Sequence, residues 1–124
     1  MGDTPACFTT AVRSVQAKQV GYAGLMLPVL EDETLAQRWS EGKLSIDALL
    51  SYSSVCATGL DTLPLPGGAT DDQIARILGD VAALASKWHK PLTARLLPVK
   101  NKYAGDTSDF DDPHLTNAKI QAMP

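Results

Sequence analysis

The sequence predicts an α/β domain in which about four helices cover a small sheet. Apolar residues recur at helical spacing behind capping residues such as Ser45 and Thr70. Two short runs bounded by Gly and Pro read as strands, Gly59 to Leu65 as at most a short one and Leu92 to Val99 as a buried one. Size sets a third condition, because 124 residues support one hydrophobic core and not two. Residues 1–124 therefore read as a single domain, with a flexible N-terminus over 1–8 and an irregular segment over 101–124.

Each element has its own reason. Val12 and Val15 recur behind Phe8 and predict a short first helix within Thr9 to Gln19, which Gly21 is placed to close in a left-handed conformation. Gly21 to Pro28 reads as a loop or a short buried extended segment, since two glycines and a proline break any period. Glu31, Asp32 and Glu33 suit the positive end of a second helix, whose inward face carries Leu35 and Trp39 and which Gly42 stops. Ser45 caps a third helix, Ile46 to Val55, with Ile46, Leu49, Leu50 and Val55 as its apolar stripe. Pro64 restricts the strand after it to an edge or an end, and Pro66-Gly67-Gly68 forms a turn. Thr70 with Gln73 makes a capping box for the fourth helix, whose apolar face is Ile74, Ile77, Leu78, Val81 and Leu84. That helix runs to about Trp88, and Pro91 prevents its continuation into the buried strand Leu92 to Val99.

Composition excludes whole classes of function. With 44% hydrophobic residues and a net charge of -3, the chain is too apolar and too weakly charged to stay unfolded. Eleven Lys and Arg against 14 Asp and Glu create no field that draws in nucleic acid. The longest apolar stretch, Gly24 to Leu30, contains Pro28 and falls far short of the ~20 residues of a membrane span. Met1-Gly2-Asp3-Thr4-Pro5 lacks the basic and apolar regions of a secretory signal, so a cytoplasmic protein is expected, with Cys7 and Cys56 both as free thiols.

Three segments carry a family resemblance. They are Gly21-Tyr22-Ala23-Gly24-Leu25-Met26-Leu27-Pro28-Val29-Leu30-Glu31-Asp32, the run Tyr52 to Gly67 containing Cys56-Ala57-Thr58-Gly59-Leu60-Asp61, and Lys90 to Val99. In this order and spacing the chain resembles the C-terminal portion of the uncharacterised bacterial and archaeal family called domain of unknown function 711. The resemblance implies a slice of an α/β barrel related to that of the glycyl-radical enzymes, such as pyruvate formate-lyase. The chain departs from the family pattern in three ways: Lys100-Asn101-Lys102-Tyr103-Ala104-Gly105-Asp106 stands in place of the family's Pro-Gly-Lys-Lys-x-Gly-Asp, and two changes lie in the earlier segments. Ala57 stands where glycine is usual, and Pro66-Gly67-Gly68 lacks the carboxylate of the family's Pro-Gly-Asp. The strands that would complete the barrel are missing, so a truncated or vestigial member is expected.

The resemblance singles out Cys56, because radical enzymes carry a thiyl radical on a cysteine inside the barrel. They also need a glycine in an Arg-Val-x-Gly-like motif, and Arg95-Leu96-Leu97-Pro98-Val99 has none. As an ordinary nucleophile Cys56 is poorly placed, since the negative end of the third helix and nearby Asp61 both oppose a thiolate. A packed structural thiol is the favoured reading. His89 and His114 lie among polar neighbours and read as solvated surface histidines. Asp109, Asp111, Asp112 and His114 lack the spacing of a calcium loop and read as a solvated acidic loop. Asp61 and Arg95 each sit in an apolar strand-like segment, so they either pair or line a pocket together. Gly67, Gly68 and Thr70 lead into a helix start that suits a small anion, against the plainer reading of a capped turn.

Two functions follow as expectations. The first is a non-catalytic oligomerising or binding module derived from a larger barrel protein, because two strands leave open edges and uncovered apolar surface that a homo-oligomer would cover. The alternative is an enzyme-like domain that binds a small anionic ligand near Cys56, Asp61 and Arg95. No cofactor and no metal are expected.

Overall fold

Four helices and two strands follow one another in the computed structural model, which describes residues 4–124. Helix α1 is Thr4–Arg13, α2 Glu33–Ser40, α3 Ile46–Ser53 and α4 Asp71–Trp88; strand β1 is Gly59–Pro66 and β2 Thr93–Val99. A short 3-10 turn, Val29–Glu31, precedes α2.

The caps read from the sequence, Ser45 and Thr70, form, and Asp32, expected only as an acidic residue at the positive end of the second helix, is its N-cap. Asp32 accepts the backbone N–H of Leu35 at the start of α2, and Ser45 accepts that of Ala48 at the start of α3. Thr70 and Gln73 close a reciprocal capping box on α4. Gly42, at φ +72, stops α2 where a side chain would be strained. At the far end of α4 the left-handed residue is His89, at φ 47, and its N–H caps onto Ala85 and Ser86.

β1 and β2 pair in parallel, from Gly59 opposite Thr93 to Pro66 opposite Val99. Parallel strands cannot be joined by a tight turn, and α4 supplies the crossover. The other side of β1 is occupied at its start, because the extended segment around Leu25 bridges Ala57 and Pro28 bridges Asp61, both in parallel. β1 thus lies between two neighbours, whereas the outer edge of β2 has none among the described residues.

The core gathers on β1. Leu60, Leu63 and Leu65 are buried against Val29 and Leu30, Trp39 of α2, Leu49 of α3 and Ile77 of α4. The C-terminal segment closes it. Although residues 101–124 form no regular element beyond an isolated bridge between Thr107 and Lys119, Ala118 and Ile120 are buried. The Trp39 indole donates to the Lys119 carbonyl at 2.9 Å, and Gln121 donates to the carbonyls of Trp39 and Leu44 at 2.8 and 2.7 Å.

Several expectations are corrected. The first helix lies at Thr4–Arg13, so it takes in much of the N-terminal stretch expected to be flexible; residues 1–3 lie outside the described residues. The apolar residues expected to face inward do not: Phe8 and Val12 of the helix and Val15 beyond its end are exposed, whereas Thr9 is buried. Gly21 closes no helix; a Cβ there would stand 2.7 Å from the Leu92 carbonyl, so close packing against that backbone requires the glycine. Val55 and Leu78 face solvent, leaving Ile46 and Leu49 of α3 and Ile77 and Val81 of α4 as the buried part of the stripes. β2 is half-exposed along most of its length rather than buried, because one neighbouring strand and one crossover helix cannot cover a parallel strand on every side.

Candidate functional site

Three polar features stand out along the sheet. The first is at the middle of β1, where the register slips between Leu60 and Leu63. Thr62 there adopts φ 48, and its hydroxyl accepts the Leu30 N–H at 3.2 Å. Such a bulge turns side chains away from their regular alternation. It lies beside Asp61, 3% exposed, whose carboxylate accepts the Arg95 Nε–H at 2.5 Å. The same guanidinium donates through Nη2 to Glu31 at 2.5 Å. Asp61 and Arg95 therefore pair, and Glu31 joins them. The Asp61 carboxylate, together with the charge of Glu31, holds the Arg95 guanidinium above its already high ordinary pKa. A guanidinium shared by two carboxylates has little left for an outside anion.

The second feature lies where α3 ends. The Lys90 ammonium, on a residue only 6% exposed, donates to the Ser53 carbonyl at 2.8 Å. Burial pushes its pKa down and the charge of Arg13 adds to that; the nearby Cys56 acts in the opposite sense. The carbonyl end of α3 compensates a buried cation there. Cys56 itself is half-buried and a free thiol, while the side chain of Cys7 lies outside the described residues. The Cys56 carbonyl accepts the Thr9 hydroxyl at 2.6 Å, and the same hydroxyl oxygen accepts the Leu25 N–H at 3.0 Å. Thr9 thereby ties α1 to both segments beside β1.

The third feature is a cavity of about 350 Å³ at the C-terminal ends of both strands. It is lined by Gly67, Gly68, Pro98, Lys100, Asn101, Lys102 and Tyr103. Gly67 is required by contact, since a Cβ there would meet the Val99 carbonyl at 2.3 Å; one at Gly68 would point into open space. Thr70 does not line this cavity and is engaged with Gln73 instead. A shallower apolar groove of about 300 Å³ runs over Val12, Val15, Ala17, Val20 and Tyr22.

The structure thus brings Asp61 to Arg95 and places Gly67 and Gly68 in a cavity, but none of the cavities described here is lined by Cys56, Asp61 or Arg95. Asp109, Asp111, Asp112 and His114 are exposed or nearly so, and no group of three or more His, Cys, Asp or Glu poised for a metal occurs among the described residues. Sequence reasoning missed Glu31 as the third member of the ion cluster, Lys90 as a buried cation, and the lysines of the cavity. The signal for Lys100 and Lys102 was present, as two lysines directly after a strand.

Fold and sites together define a small α/β module built on one parallel crossover. The chain matches the family model described as "Uncharacterised ACR (DUF711)" over residues 4–112, and it belongs to that family. It is 42% identical over 109 residues to a UPF0210 protein of Pyrobaculum aerophilum, covering 85% of this chain and 24% of that relative. A UPF0210 protein of Oleidesulfovibrio alaskensis is 37% identical over 90 residues, covering 73% and 20%, and one of Clostridium perfringens 36% identical over the same length. The chain spans about a quarter or less of the length of these curated relatives. No solved structure matches it significantly. Among the described residues no helix is long and apolar enough to cross a membrane.

Proposed function

We propose that this chain is a non-catalytic association module that joins a second copy of itself along the open side of β2. The observation that carries the reading is the unpaired outer edge of a parallel strand that is half-exposed along most of its length. Parallel sheets are stable when covered, and a lone strand pair is marginal in water. The exposed apolar surface continues from that strand. Gly21 packs on Leu92, and beside it Val20 and Tyr22 meet the groove formed with Val12 of α1 and Val15 just beyond it.

The alternative, an enzyme-like domain gathering an anion near Cys56, Asp61 and Arg95, is less well supported because Asp61 and Glu31 already occupy the guanidinium.

Light scattering at micromolar concentration should give the mass of a dimer, and Tyr22→Glu with Val15→Glu should return it to a monomer. A monomeric wild-type mass, or a mass that rises only when other parts of a full-length family member are added, overturns self-association.

A further inference from the structure

We infer that the cavity at the C-terminal ends of β1 and β2 is a binding site for a small phosphomonoester. In open α/β sheets ligands bind outside the carboxyl ends of the strands, and that is the end at which this cavity lies. Here the loops are Gly67-Gly68 after β1 and Lys100 to Tyr103 after β2.

The Lys100 ammonium has no hydrogen bond or ion pair among the described residues, and Lys102 has only a long 3.6 Å contact with Asp109. Gly67 N–H is spent on the Lys102 carbonyl at 3.0 Å, which ties the two loops together; the Gly68 N–H has no acceptor among the described residues and no side chain to shield it. Asn101, at φ 60, holds the turn that sets the two lysines on either side of it, a conformation asparagine adopts more readily than most residues. The side chain of Asp106 is turned to the Tyr103 N–H at 2.8 Å.

Two ammonium groups and a backbone N–H suit a compact tetrahedral dianion better than a planar carboxylate, for which the arginine fork is the usual partner. The cavity is at the small end of the range that holds whole organic ligands. Tyr103, largely exposed on its rim, supplies a ring face for the organic part. The site does not depend on association through β2, since it lies at the strand ends and not along the outer edge.

The test is a titration of the isotope-labelled chain followed by amide NMR, with inorganic phosphate, glycerol 1-phosphate and acetate as probes. Both phosphates should shift Gly68 and residues 100–103, with acetate inert. Lys100→Gln should weaken both by about tenfold, as the loss of one charge-assisted hydrogen bond does. Tyr103→Ala should weaken glycerol 1-phosphate alone, and Lys87→Gln on distant α4 should change neither. Absence of shifts at millimolar phosphate, equal shifts from acetate, or equal weakening by Lys87→Gln overturns the site. Because the shifts are mapped by residue, a monomeric protein can still pass this test, and a dimer can fail it.

Discussion

β1 and β2 are neighbours in one sheet, yet they live in different solvents. β1 buries Leu60, Leu63 and Leu65 beneath three helices and a C-terminal clasp, and has chain on both sides at its start. β2 has β1 on one side, α4 across one face, and no strand on the other side among the described residues. The difference teaches that the free energy of this fold is concentrated around the first strand. The second is held largely by the first and is where a partner has room to act.

Paired truncations test that contrast most severely. Leu63→Ala should cost about 2–5 kcal/mol in denaturant unfolding, the range for buried leucines. Leu96→Ala on half-exposed β2 should cost only about 1 kcal/mol in dilute solution, in proportion to the smaller area it hides. Equal costs would break the distinction. A Leu96→Ala cost that grows with protein concentration would sharpen it, by showing that association covers β2.

The ion cluster linking the two strands should come next in size. Arg95→Met leaves the buried Asp61 carboxylate without its guanidinium and should destabilise by about 1.5–3 kcal/mol, discounted from deeper pairs because Arg95 is partly exposed. Adding Asp61→Asn should recover part of the loss in the same unfolding assay. If it recovers nothing, Asp61 is not the group that suffers.

The smallest effect concerns Lys90. Burial lowers its folded pKa beneath the ordinary lysine value, so between those two values the unfolded chain binds more protons than the folded one. Stability from this residue therefore rises with pH across that window. The wild type should gain on Lys90→Met as pH climbs toward the ordinary lysine pKa, by no more than about 1.4 kcal/mol per pH unit. A flat difference would mean that the ammonium is better solvated than its burial implies.

Much of this architecture was legible in the residues. Caps are local, so Ser45 and Thr70 announced their helices within four positions of themselves. Strand existence also followed from short apolar runs, and the pairing of Asp61 with Arg95 from the cost of a lone buried charge. What failed was direction. The spacing of Phe8, Val12 and Val15 marks one face of a helix but says nothing of whether a neighbour covers it, and here none among the described residues does. Gly21 was misread for a related reason, since its contact with Leu92 spans 71 positions and no local pattern encodes it. The irregular C-terminal segment has no period to read, yet single residues such as Ile120 and Gln121 seal the core. The cavity was half visible: Gly67 and Gly68 could be picked out as a turn, but their meeting with Lys100 and Lys102 depends on the parallel register.

The chain contains two tryptophans, and the fold sends them to opposite fates. Trp39 is enclosed, with its indole N–H held by the Lys119 carbonyl, whereas Trp88 stands at the rim with the Lys87 ammonium 5.8 Å from its ring. Their intrinsic emission is therefore already divided between an apolar, anchored ring and a wet one beside a cation. Loosening of the C-terminal clasp and rearrangement at the foot of α4 can be followed by separate colours of light, with no dye attached.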